Sequence, residues 1–212
     1  MSRNMNKVGG FIVVCLICLI WVLGGCEPKT PETESEKSSE ISFLTADSIE
    51  IYGGFFEGSP QSSTILLFHQ GGSTARGEYA DIIPRLSSLE YHVLAIDQRT
   101  GGQRYGSYNR TVANFPLGRY SYCDAKEDIK AAVSFAQERV SGSKIILWRS
   151  SYSAALAILY AAEYPENIDG VLAFSPASGK PMEGCRPDSA FTGVEVPLIL
   201  LRPQSEMEIE VV

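Results

Sequence analysis

The stretch ILWRSSYSAAL, residues 146–156, decides the fold. Apolar residues lead into a serine-rich turn, and SAALAILYAAEY then continues as an alanine-rich helical run up to Pro165. A buried strand that enters a helix through such a turn belongs to an α/β layer, and it is also a place to mount a nucleophilic hydroxyl. The turn has one irregular member. Arg149 stands where the close approach of strand and helix favours a residue with almost no side chain.

Working outward, the same alternation holds along the chain. STILLFHQ (63–70), YHVLAID (91–97), KIILW (144–148), IDGVLAFSP (168–176) and VPLILL (196–201) read as strands, most of them apolar on both faces. Between them, Tyr79, Ile82, Ile83 and Leu86 predict a helix over 75–89 despite Pro84, and a second helix runs from an N-cap at Asp124 to about Val140. Upstream, ISFLTA and SIEIYGGFFEG predict an antiparallel hairpin, with Gly53-Gly54 marking a turn or bulge. The expected fold is α/β: a mostly parallel sheet with helices on both faces behind an antiparallel N-terminal hairpin. In such sheets sites form at the carboxyl ends of the strands.

Composition narrows the function. A chain of 212 residues with 44% hydrophobic content suits one domain with a full core. Its net charge of −7, with 18 scattered Lys and Arg, argues against a nucleic-acid partner. The supply of Cys and His cannot furnish a metal-ligand cluster, and Gly71-Gly72 and Gly101-Gly102 are not spaced as a dinucleotide fingerprint, so neither a metal nor an organic cofactor is expected.

The first residues are of another kind. Arg3 and Lys7 precede the apolar run FIVVCLICLIWVL (11–23), which is followed by Gly24-Gly25-Cys26. This is the layout of a secretory signal, and the run is short for a membrane span of about 20 residues. LGGC resembles a bacterial lipobox, which implies a signal peptide over 1–25, lipidation of Cys26, and export to the outer face of a bacterial membrane. An uncleaved anchor helix is the alternative. Residues 26–40 are polar and charged after Cys26 and read as a flexible tether, leaving 41–212 as the domain. Within that domain, Cys123 and Cys185 are candidates for one disulfide across loops on the same rim, with two free buried thiols as the alternative.

Three strand ends carry chemistry-bearing residues: His69-Gln70-Gly71-Gly72-Ser73, Arg149-Ser150-Ser151-Tyr152-Ser153 and Arg202-Pro203-Gln204-Ser205-Glu206. In this order they resemble the α/β-hydrolase family over about residues 41–206. The resemblance implies that Ser151 is the nucleophile of a G-x-S-x-G elbow, and that Tyr152 and either Gln70 or Gly71 supply the oxyanion N–H groups. It further implies that His69 shapes the oxyanion turn, that DQRTGG (97–102) matches the family's loosely kept D-x-R-x-x-G stretch, and that Glu206 is the triad acid, with Glu208 and Glu210 as alternatives.

The family order is serine, acid, histidine, and this sequence has no histidine after His92. His92 opens its strand, about 17 Å from the carboxyl-end rim at roughly 3.3 Å per residue. The chain is therefore expected to lack the last strand and helix of the fold, as a C-terminally truncated member. The resemblance implies a serine hydrolase of the carboxylic ester type, acting on a small-molecule ester or acyl substrate. Given Arg149 and the histidine count, the alternative is a catalytically inactive binding module, or a degenerate remnant, on the same fold. Its pocket walls would be the 97–120 loop, with Arg104, Tyr105, Tyr108, Arg110, Arg119 and Tyr120, and the 177–193 segment.

Overall fold

A computed structural model of the protein describes residues 38–207 apart from Leu117. The expected signal segment, Cys26, most of the expected tether, and Glu208 and Glu210 lie outside the described residues. Seven strands form one sheet in the order β1-β2-β4-β3-β5-β6-β7. They are β1 (Ser38–Leu44), β2 (Glu50–Phe56), β3 (Thr64–Phe68), β4 (His92–Asp97), β5 (Ile145–Ser150), β6 (Gly170–Phe174) and β7 (Leu198–Leu201). β1, β2 and β4 pair antiparallel, and all later pairings are parallel.

Strand alternation builds two cores. Ile65 and Leu67 of β3 join Val93 and Ala95 of β4 against Tyr79, Ile83 and Leu86 on one face. Leu66 and Phe68 join Leu94, Ile96 and Leu147 on the other, under the helices α3 (Lys126–Arg139) and α4 (Tyr152–Glu163). All five residues of β3 are buried, as a central strand covered on both faces must be.

Four local readings change. β1 starts at Ser38, so residues 38–40, expected as the end of a tether, pair with Phe56, Phe55 and Gly54. Gly53 and Gly54 are not the hairpin turn but lie inside β2. A Cβ on Gly53 would stand 2.9 Å from the Ala95 carbonyl oxygen, so glycine there permits β2 to approach β4. The turn falls at 45–48, where the Thr45 Oγ1 accepts from the Ile49 N–H at 2.9 Å.

The expected helix over 75–89 is two short ones, α1 (Ala75–Glu78) and α2 (Ile82–Ser88). Tyr79 sits at the break and donates its hydroxyl to the Phe68 carbonyl at 2.8 Å. Pro84 then falls in the first turn of α2, where a missing N–H breaks no helical bond. Asp124 is not an N-cap. Ser121 caps a short 3-10 turn, Tyr122–Ala125, and the Asp124 carboxylate returns to the Ser121 N–H at 2.7 Å before α3 begins.

Candidate active site

β5 ends at Ser150 and α4 begins at Tyr152, which leaves Ser151 alone to turn the chain. Its φ of 57° and ψ of −127° lie in a region that L-residues rarely occupy. The surroundings hold it there. The Ser151 N–H donates to the Phe174 carbonyl at 3.0 Å, and the Ser151 carbonyl accepts from the Ala177 N–H at 3.0 Å, so the end of β6 and the loop beyond it grip both sides of the turn. Ser153, at the small position beyond it, is fully buried and donates to the carbonyls of Phe68 and Ser150 at 3.0 and 2.8 Å.

The two nominated oxyanion donors on the first turn are not equivalent. The Gln70 N–H donates to Glu78 Oε2 at 2.8 Å, while the Gly71 N–H makes no backbone hydrogen bond among the described residues. Tyr152 is the first residue of α4, where an N–H has no partner in the helical ladder. Among the described residues the Gly71 and Tyr152 N–H groups are therefore the ones left without a hydrogen-bond acceptor, whereas that of Gln70 is taken by Glu78. Glu78 also accepts from the Ser150 hydroxyl, tying the glycine turn to the elbow. Sequence reasoning missed this role. Ser150 lies 72 residues from Glu78, and no local pattern marks the pair.

His69 is fully buried beside this turn. Its Nδ1 lies 2.8 Å from the Gln70 carbonyl, to which it donates, and its Nε2 accepts from the Gln98 N–H at 2.8 Å. Burial pushes the imidazole below its ordinary value, against the opposing influence of the Gln70 carbonyl and the Asp97 charge. With both nitrogens engaged, His69 braces the β3 and β4 loops together and has no lone pair for a serine proton. His92 opens β4, stacks on Phe55, and accepts from the Gly58 N–H at 3.0 Å. It belongs to the amino-end rim.

The DQRTGG residues form a charged brace behind the site. Asp97 accepts from the Ala75 N–H at 3.0 Å and from Arg110 Nε at 2.8 Å. Arg99 donates from N and Nε to Asp128 at 2.9 and 2.7 Å, and from Nη2 to Asp47 at 3.0 Å. Among the basic residues of the 97–120 loop, Arg110 also pairs with Glu40, and Arg104 reaches Gln70 Oε1 at 3.1 Å.

Arg149 does not swing outward. It is fully buried on the α3–α4 face of β5, its Cζ 3.1 Å from the centroid of the Phe68 ring on the neighbouring strand. Nε, Nη1 and Nη2 find no hydrogen-bond partner among the described residues. Burial pushes the guanidinium well below its ordinary range, with Tyr79, Tyr152 and Tyr160 opposing.

Glu206 lies in α5 (Gln204–Met207), beyond β7, half-buried and 3.8 Å from Arg202 Nε. The structure brings it to no histidine. Cys123 and Cys185 are joined, with an S–S separation of 2.01 Å. This crosslink ties the turn before α3 to the segment after β6. Beside it lies a cleft of about 350 Å³, lined by Arg99, Thr100, Phe115, Tyr120, Tyr122 and Pro181 among others. The cleft thus has walls from both the 97–120 loop and the 177–193 segment.

The comparisons agree with this architecture. An esterase of Pyrococcus furiosus superposes with a TM-score of 0.64 at 20% identity, over 84% of this chain and 76% of that one. A dienelactone hydrolase of Anabaena variabilis gives 0.59 at 18%, over 81% and 76%. A thermostable carboxyl esterase of Bacillus coagulans gives 0.54 at 18%, over 64% and 43%. No curated protein matches the sequence. Residues 59–198, more than half of the chain, match the family described as serine aminopeptidase, S33. A strained serine between strand and helix, set in a mixed sheet of this order and matched over that span, makes the chain a member of the serine aminopeptidase S33 family of α/β-hydrolases.

Proposed function

We propose that the chain is a serine hydrolase of the carboxylic ester type. In this reading Ser151 Oγ adds to the carbonyl carbon of a small ester or acyl substrate, and the carbonyl π pair moves to oxygen. The N–H groups of Gly71 and Tyr152 receive that charge, and the cleft beside Tyr122 holds the acyl or alcohol part. The observation that carries it is the backbone of Ser151: φ 57° and ψ −127°, gripped from both sides by the end of β6 and the loop beyond it. Strain at a single serine between strand and helix marks a site that lifts its hydroxyl clear of the sheet. The Ser151 hydroxyl proton passes to solvent water in this reading, since His69 has both ring nitrogens engaged and His92 lies on the amino-end rim, and Glu206 is the aligned acid.

The likeness to LGGC lipoboxes and the crosslink of Cys123 to Cys185 support an exported domain tethered by a lipid on Cys26. Arg149 and the fully engaged His69 favour a second reading, a non-catalytic module that retains the cleft for binding. A fluorophosphonate probe separates the two. Oγ of Ser151 displaces fluoride from phosphorus, forming P–O as P–F breaks, and the hydroxyl proton passes to solvent. Labelling that vanishes in Ser151→Ala supports the hydrolase. No label, beside a labelled control hydrolase, supports the module.

A further inference from the structure

Tyr122 is the residue of the cleft whose placement the fold does most to fix. Its ring stacks on Tyr152 with centroids 4.4 Å apart and planes 13° from parallel. Its hydroxyl reaches across to Gly71: a Cβ there would collide with the phenolic oxygen and stand 2.9 Å from Cζ. The phenol therefore touches both residues whose N–H groups form the oxyanion pair. Glycine at position 71 is required because the Tyr122 hydroxyl fills the space of a side chain.

Two further constraints hold the ring. Ser121 and Asp124 close a capping box around the turn that carries it, and Cys123, the next residue, is crosslinked to Cys185. Tyr122 is only half-buried, and it lines the cleft. A stacking wall would need the ring alone, and phenylalanine would serve. Pre-positioning of an O–H donor beside two N–H donors is what a site gains when negative charge develops on a carbonyl oxygen.

We propose that the Tyr122 hydroxyl is a third oxyanion donor, completing a site formed by the N–H groups of Gly71 and Tyr152; this rests on the hydrolase reading of Ser151. When Ser151 Oγ bonds to the carbonyl carbon, its hydroxyl proton passes to solvent and the π pair moves to oxygen; Tyr122 donates a hydrogen bond to that oxygen and keeps its own proton.

The test is Tyr122→Phe, which keeps the stack on Tyr152 and removes only the hydroxyl. Loss of one such donor lowers turnover by about 100-fold. The fluorophosphonate labelling rate at Ser151 is expected to fall on that order, and kcat for a p-nitrophenyl ester to fall with KM held. The melting temperature should be unchanged. A labelling rate equal to that of the unaltered protein overturns the proposal.

A second measurement does not depend on the nucleophile. In Ser151→Ala protein, phenylphosphonate binding followed by titration calorimetry is expected to weaken about tenfold when Tyr122→Phe is added, the loss of roughly one charge-assisted hydrogen bond. Tyr122-dependent phosphonate binding beside an unlabelled Ser151 sinks the hydrolase reading and keeps the anion site. Binding that ignores Tyr122, or no binding, sinks the anion site.

Discussion

At the scale of the residue, Arg149 carries the largest physical contradiction in the molecule. A cationic side chain sits fully buried against Phe68 with three nitrogens unpartnered among the described residues. Contact with an aromatic face recovers part of what desolvation takes, on the order of 2 kcal/mol. An unpaired buried charge costs several kcal/mol. Arg149→Met keeps an unbranched stem against Phe68 and removes the charge, and it is expected to stabilise the fold by about 1–4 kcal/mol. The urea midpoint measures this. A lower midpoint would mean that the guanidinium has a bound counter-ion or water network. Ser151 shows the converse. It too violates a local preference, but two backbone hydrogen bonds, to Phe174 at the end of β6 and from Ala177 in the loop beyond it, hold it in place.

At the scale of the element, β7 sets the behaviour of the sheet edge. Among the described residues it pairs with β6 alone, and Ile199, Leu200 and Leu201 are 54, 39 and 53% exposed. An open strand edge with apolar side chains on it is a template for pairing with another chain. Ile199→Lys is expected to lower self-association at a given concentration without loss of melting temperature. Sedimentation velocity reads the result, and an unchanged distribution would show that the edge is already protected. The opposite edge is better managed: β1 is polar at its start, where Ser38, Ser39 and Glu40 are exposed, and Glu40 pairs with Arg76 and Arg110.

At the scale of the whole molecule, Arg99 is a hub that joins the β1–β2 turn, the loop after β4 and α3 through Asp47 and Asp128. The Arg99 hydrogen bond holds the Asp47 carboxyl at about 2, against burial, where an aspartate ordinarily titrates near 3.8. Because the folded value is the lower one, the unfolded chain binds the proton more tightly. This contribution is fully present above about pH 4 and is lost as pH falls through 2. Asp47→Asn should therefore flatten the fall of melting temperature between pH 4 and 2, which calorimetry at stepped pH would measure. A slope identical to that of the unaltered protein would place acid sensitivity elsewhere. The sequence by itself determined the alternation of buried strands and helices, the antiparallel start and the nomination of Ser151, because burial and turn chemistry leave periodic marks within a few residues of one another. The family resemblance implied that His69 shapes the glycine turn after β3, and its two ring nitrogens are engaged by the Gln70 carbonyl and the Gln98 N–H. Sequence alone misplaced the Gly53 turn, the helix over 75–89 and the Asp124 cap, each decided by a neighbour distant in sequence or by competing local bonds: Ala95 against Gly53, Phe68 under Tyr79, Ser121 ahead of Asp124. Only the tertiary structure decided that Gln70 is taken by Glu78, that Arg149 points inward, and that Tyr122 meets Gly71 and Tyr152. Those contacts join residues from separate loops, and their geometry exists only once the sheet has brought the strand ends to one rim.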